Sequence, residues 1–164
     1  MVTLKADEFE PDNILTLCRQ SLNVVQTQLN RHGYADYLWT GYNGAVEQAE
    51  RKQLGEVLSD PNGVEYQIRE ELQAHPDIDL WLILEGVVMA VPDGLNVMKQ
   101  GSCMIYKRGI EPKREQHLVL QRFYKRSLEF LEGWVTGLER VGVRVKHTYD
   151  SESTARALVT MVKS

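Results

Sequence analysis

Ten residues near the middle of the chain, "DLWLILEGVV" (79–88), constrain its fold more than any others. The unbroken apolar run Leu80–Leu84 falls far short of the roughly 20 residues that cross a bilayer. Successive side chains of a strand point to opposite faces. A strand can therefore be apolar at every position only where both of its faces are covered. The rest of the chain must supply those two layers. "VTLKA", "ADYLWT", "AVEQAERKQ" and "VRVKHT" read as strands, the middle two joined by the turn "GYNG". "NVVQTQL" reads as a strand, or as a helix running on to Asn30. "PDNILTLCRQ" opens as a helix with Ile14, Leu15 and Cys18 on one face. "LGEVLSD" is a helix that "PNG" stops, and "VEYQIREELQAH" carries Val64, Ile68 and Leu72 at helical spacing. "LVLQRFYKRSLEFLEGWVTGLERVG" reads as one long helix or two shorter ones. "DSESTARALVTMVK" closes the chain as a helix capped by Asp150 or Ser151. This alternation predicts an α/β sandwich around a mixed sheet.

With 164 residues, 43% of them apolar and 26% charged, the chain suits one globular domain with its own core. No repeat or Pro/Gly/Ser-rich linker divides it, so the domain is expected to span residues 1–164. The N-terminus "MVTLKADEFE" has no apolar signal region, and Cys18 and Cys103 lack metal-like spacing. Both thiols are expected reduced and in the core of an intracellular protein, either cytoplasmic or associated with the nucleoid or nucleus.

Charge is divided unevenly. Residues 1–98 hold 6 Lys and Arg against 16 Asp and Glu, whereas residues 99–147 hold 11 against 5. An acidic half beside a basic segment is the pattern of a carboxylate-rich site next to a polyanion-binding face. A solvated helix face would account for the basic segment equally well.

The acidic half contains the triplet Glu50-Arg51-Lys52. On a strand, Glu50 and Lys52 share a face and Arg51 points the other way. Phosphodiester hydrolysis uses this combination. Hard carboxylate oxygens hold a divalent cation, and an ammonium orients water or offsets developing charge. Further acids are then required nearby: Asp36 at the start of the preceding strand, Asp7 at the end of the first, and Glu56 in the next helix.

With these residues in view, the chain resembles the nuclease domain of the XPF/Mus-type structure-specific endonucleases, a branch of the PD-(D/E)XK superfamily. "DEFE" (7–10) is similar to the family's D-x-R-E box, "ADY" (35–37) to its G-D-Y, and "ERKQLGE" (50–56) to its E-R-K-x-x-x-D. "NGVEYQI" is similar to the helix start that places a glutamine, here Gln67, near the site. "LWLILEG" and "VRVKHTYDSESTARALVTMVK" resemble the central strand and the last strand and helix. Phe9 stands where the family has arginine, Ala35 where it has glycine, and Glu56 where it has aspartate. Residues 89–116 look like an insertion.

The resemblance implies a restriction-endonuclease-like mixed β-sheet flanked by helices. It implies a Mg²⁺- or Mn²⁺-dependent DNA endonuclease acting on branched or flap DNA in repair or recombination, leaving a 5′-phosphate. Asp36, Glu50, Lys52 and Arg51 would form the catalytic set. Asp7, Asp36, Glu50 and Glu56 would hold metal. Lys107, Arg108, Lys113, Arg114, Arg122, Lys125 and Arg126 would grip phosphates. Pairing into a homodimer or heterodimer is also implied. The alternative, which Phe9 supports, is a non-catalytic module on the same fold that binds DNA or a partner.

Overall fold

The structure is a computed structural model that describes residues 2–164. A six-stranded mixed sheet forms its centre. In chain order the strands are β1 (Thr3–Asp7), β2 (Asn23–Thr27), β3 (Tyr37–Thr40), β4 (Val46–Gln53), β5 (Asp79–Glu85) and, last, β9 (Arg144–Thr148). They lie in the order β2-β1-β3-β4-β5-β9. β3 runs antiparallel to both β1 and β4, while the β1–β2, β4–β5 and β5–β9 pairs are parallel. The carboxyl ends of β1, β4, β5 and β9 therefore share one edge of the sheet with the amino end of β3.

β5 is covered on both faces, as its continuous apolar run requires: Leu80 is 1% exposed, and Leu82, Ile83 and Leu84 are fully buried. Ile83 faces a layer made by helices α1 (Asp12–Arg19) and α5 (Ser151–Lys163). There it joins Leu4, Tyr37, Trp39 and Ala49 of the sheet and Ile14, Leu15, Leu158 and Val162 of the helices. Leu80, Leu82 and Leu84 face α2 (Leu54–Ser59), α3 (Pro61–Ala74) and α4 (Leu128–Arg140), packing with Val57, Leu58, Ile68 and Leu131. Asp150 caps α5 by accepting from the Ser153 N–H, as expected.

A second, three-stranded antiparallel sheet follows β5. It consists of β6 (Val87–Val91), β7 (Gly94–Lys107) and β8 (Ile110–Tyr124). Gly86, at φ +136°, makes the break between the two sheets, in a conformation that side chains other than glycine's rarely allow. β7 and β8 extend beyond β6 as a two-stranded arm that turns at Gly109, φ +76°. The segment expected as an insertion, 89–116, lies inside this second sheet.

Three expectations are corrected here. Residues 118–124 are not helical; they pair with 95–100 of β7, and the helix begins only at Leu128, where the Ser127 hydroxyl accepts from the Phe130 N–H. The "PNG" stretch does not merely stop a helix. Pro61 is the first residue of α3, a position that needs no N–H donor, and Asp60 caps it by accepting from Gly63 N–H. Cys18 is buried in the core, but Cys103 lies exposed on the arm.

Leu82→Ala should cost about 2–5 kcal/mol in urea denaturation, because it opens a cavity between sheet and helices. Leu120→Ala, at a position 55% exposed on the arm, should change stability by less than about 0.5 kcal/mol.

Candidate active site

The register of the sheet gathers the acids. Ala6 lies opposite Tyr37 and Tyr37 opposite Ala49. One step further along, Asp36 falls between Asp7 and Glu50, and the Asp7 N–H donates to the Asp36 carbonyl at 2.8 Å. Directly opposed residues project to the same side of a sheet, so these three acids share the α2/α3 side. Lys52 joins them at i+2 from Glu50. Arg51 points to the other side, as the alternation of a strand demands.

Each acid has its own set of partners. Asp7 Oδ1 accepts from Asn30 N–H at 2.9 Å and Oδ2 from Phe9 N–H at 3.3 Å. Asp36 Oδ2 accepts from Arg51 N–H at 2.9 Å and Oδ1 from Asn30 Nδ2 at 3.4 Å. Glu50 Oε1 lies 2.7 Å from the Lys52 ammonium and also accepts from Gln67 Nε2 at 2.7 Å. Glu50 Oε2 is buried with no partner. Glu56 closes the amino end of α2, where its carboxylate accepts from Gln53 N–H at 2.8 Å. Lys52, Gln53, Glu56, Gln67, Gln121 and Tyr124 line an open groove of about 620 Å³ beside this cluster.

On the opposite face, the Arg51 guanidinium grips Glu85 through two bonds of 2.7 and 3.0 Å. Glu85 in turn accepts from the Thr154 hydroxyl at 2.6 Å. This clamp ties β4 to β5 and α5, and it fixes the Arg51 N–H that holds Asp36. Arg51 thus meets the acid cluster through its backbone N–H, its guanidinium being turned to Glu85.

Clustering and burial raise several carboxyl groups. Burial lifts Asp36 to about 7, helped by the Glu50 charge and opposed by the Arg51 N–H and Lys52. Burial and neighbouring Glu71 lift Glu50 to about 7 against the pull of Lys52. Glu71, on α3, also stands at about 7, chiefly through burial. Glu10, bonded to the Tyr37 hydroxyl, reaches about 7 through burial and the Asp36 charge. Burial works against the Lys52 ammonium, but Glu50 and Asp36 outweigh it and raise Lys52. Lys52 therefore carries its charge at neutral pH.

The site accordingly joins Asp7, Asp36, Glu50, Lys52 and Gln67. Glu56 sits nearby, close enough for its charge to act on Lys52. Among the described residues, no group of three or more His, Cys, Asp or Glu is arranged to hold a metal ion. The basic residues are apart from the acids. Lys107, Arg108, Lys113 and Arg114 flank the turn of the arm, and Arg114 donates to the Ser102 hydroxyl at 3.0 Å. Arg122 lies over the Tyr124 ring, and Lys125 follows β8. Arg126 donates through Nε to the Leu58 carbonyl at 2.8 Å and lies over the Phe130 ring. Sequence reasoning missed Glu71 and Asn30, and quoted Glu10 only as the end of the "DEFE" box. For Glu71 a signal existed: it extends the Val64–Ile68 stripe of α3, where a charge interrupts an otherwise apolar face.

No family model and no curated protein matches this chain. Solved structures do, two of XPF among them. XPF from Aeropyrum pernix in complex with DNA is 14% identical, with a TM-score of 0.54 over 99% of this chain and 64% of that one. XPF from the same organism, in a second structure, is 13% identical, with a TM-score of 0.56 over 98% of this chain and 63% of that one. The chain thus has an XPF-like fold and spans less than two thirds of the length of either neighbour.

The raised carboxyls give stability a definite pH dependence. Unfolded, they release protons near their ordinary 3.8 to 4.5, whereas folded they hold them to about 7. Between those values the folded state binds more protons, so stability falls as pH rises. Metal-free protein should melt at its highest temperature near the acid end of that window and progressively lower up to pH ~7. Scanning calorimetry checks this, and Glu10→Gln should flatten the decline.

Proposed function

We propose that this protein is a Mg²⁺- or Mn²⁺-dependent DNA endonuclease. The observation that carries the reading is Asp36 and Glu50 brought side by side, with the Lys52 ammonium 2.7 Å from Glu50, at the carboxyl edge of an XPF-like sheet. The XPF neighbour bound to DNA supports a nucleic acid as the ligand.

The donor set suits a hydrated hard cation. Magnesium keeps several waters and is held by one or two carboxylates, and Glu50 Oε2 is a buried acceptor without a donor. Glu50 and Asp36 would hold it, with Asp7 steadying Asp36 through the shared Asn30. When bound, such a cation polarises the scissile phosphate and eases deprotonation of the attacking water.

The protein's own residues do the rest. Gln67 and Lys52 fix the Glu50 carboxylate in one orientation. Lys52, held charged, places the attacking water or offsets negative charge as it grows on the phosphate. Water oxygen attacks phosphorus in line, the bond to the 3′ oxygen breaks, and that oxygen takes a proton to leave a 3′-hydroxyl and a 5′-phosphate. Lys107, Arg108, Lys113, Arg114, Arg122 and Lys125 would grip the backbone of branched or flap DNA. Pairing of two chains belongs to the same proposal.

A second reading, a DNA- or partner-binding module without catalysis, draws on Phe9, 80% exposed at the position where the family has arginine. The carboxylates already satisfied by protein donors favour it too. Nicking of flap, fork and linear DNA with Mg²⁺ separates the two. Wild type should cut, with Lys52→Ala slower by about 10²–10³-fold. Tight binding without cutting in either cation would establish the module instead. Replacing Lys107, Arg108, Lys113 and Arg114 by alanine should reduce the slope of log affinity against log salt by about 1 per residue, measured by fluorescence anisotropy.

A further inference from the structure

Glu50 and Glu71 each leave one carboxylate oxygen, Oε2, buried without a hydrogen-bond partner. Among the described residues the other two unpartnered buried side-chain atoms are donors, Trp39 Nε1 and Gln48 Nε2. The two orphaned acceptors therefore belong to two residues that are 1% and 7% exposed. They also belong together. Gln67 Nε2 donates to Glu50 Oε1 at 2.7 Å and to Glu71 Oε1 at 3.1 Å, and the two carboxyls lie within hydrogen-bonding reach of each other. Two buried acceptors on neighbouring ionised carboxylates carry the full cost of lost solvation. A proton shared by the two carboxyls, or a cation in its place, must come between them.

The other acids of the site already have donors. Asp7 and Asp36 accept on both oxygens, and Glu56 caps α2. Lys52 sits on Glu50 Oε1, the same oxygen that Gln67 holds, which leaves Oε2 open. Nor does packing explain Glu71. It stands on the buried stripe of α3 with Val64 and Ile68, where an apolar side chain would meet no desolvation cost.

We propose that Glu71 anchors the divalent cation opposite Glu50, so that the cation is seated in a two-carboxylate clamp held in register by Gln67. The inference rests on the metal-dependent reading above and changes which acid completes it. Two carboxylates with the remaining positions left to water match the way magnesium is ordinarily bound. Placing the second anchor on α3 also couples the cation to the helix that lines the groove beside Lys52.

The test is Mn²⁺ binding by the full chain without DNA, followed by isothermal calorimetry. Wild type is compared with Glu71→Gln and with Glu70→Gln, an exposed neighbour on the same helix. Glu71→Gln should weaken Mn²⁺ binding by about tenfold or more, with Glu70→Gln unchanged. In EDTA, Glu71→Gln should melt no lower than wild type above neutral pH, because it removes one of two facing acids; a residue that served only to stabilise the fold would lower the melt. If Glu71→Gln does not fold, Glu71→Asp carries the same comparison. Wild type that binds Mn²⁺ and cuts DNA, beside a Glu71 variant whose affinity is within about threefold, would overturn this inference and leave the nuclease reading standing. Wild type that takes up no Mn²⁺ would overturn both.

Discussion

The register of β4 between β3 and β5 is the constraint on which the site depends. With Tyr37 opposite Ala49, and Glu50 beside Leu82, the strand sends Ala49 and Arg51 toward α1 and α5, and Glu50 and Lys52 toward α2 and α3. A slip of one residue would exchange those faces. It would bury Arg51 among the leucines and turn Glu50 toward the layer that contains Trp39. The Arg51–Glu85 clamp holds this register at the end of the sheet where the core thins. The apolar contacts of Ile83 and Leu82 hold it further in. The two layers of the fold thus act on one strand, and the acids meet because that strand cannot shift.

Such a gathering of acids opposes folding. Asp36, Glu50 and Glu71 all stand at about 7, and burial is the first cause in each case. A protein with no use for the cluster would be more stable with apolar or amide side chains there. Local strain of this kind collects at functional sites. The arm is a contrast. It is exposed along most of its length, and its open edge strand bears Pro112, Lys113, Arg114 and Glu115. Proline and charge of this kind discourage edge-to-edge association with another sheet.

These differences decide how much could be read from the sequence. β5 was legible because burial on both faces leaves an unbroken apolar run. Glu50 and Lys52 were legible because a spacing of two on a strand fixes a common face. Asp7 and Asp36 needed only the strand ends to be placed. β8 was not legible, because an arm exposed on both faces imposes no alternation, and Leu118, Val119, Leu120 and Phe123 fit a helix equally well. Pro61 was misread because proline both ends one helix and begins the next. Glu71 was marked only as a charge on the apolar stripe of α3; its pairing with Glu50 comes from the fold, which the sequence does not show. The network of Glu85, Thr148 and Thr154, joined across strand ends and a helix, has no local signature at all.

The central claim is that a divalent cation belongs beside Glu50, within the acids that this register collects. The most direct measurement is an anomalous difference map from crystals of the chain soaked in Mn²⁺. The account predicts one strong peak about 2.1 Å from Glu50 Oε2, with Lys52 still paired to Oε1. A map with no peak there, or with manganese bound only at surface acids elsewhere, would contradict it.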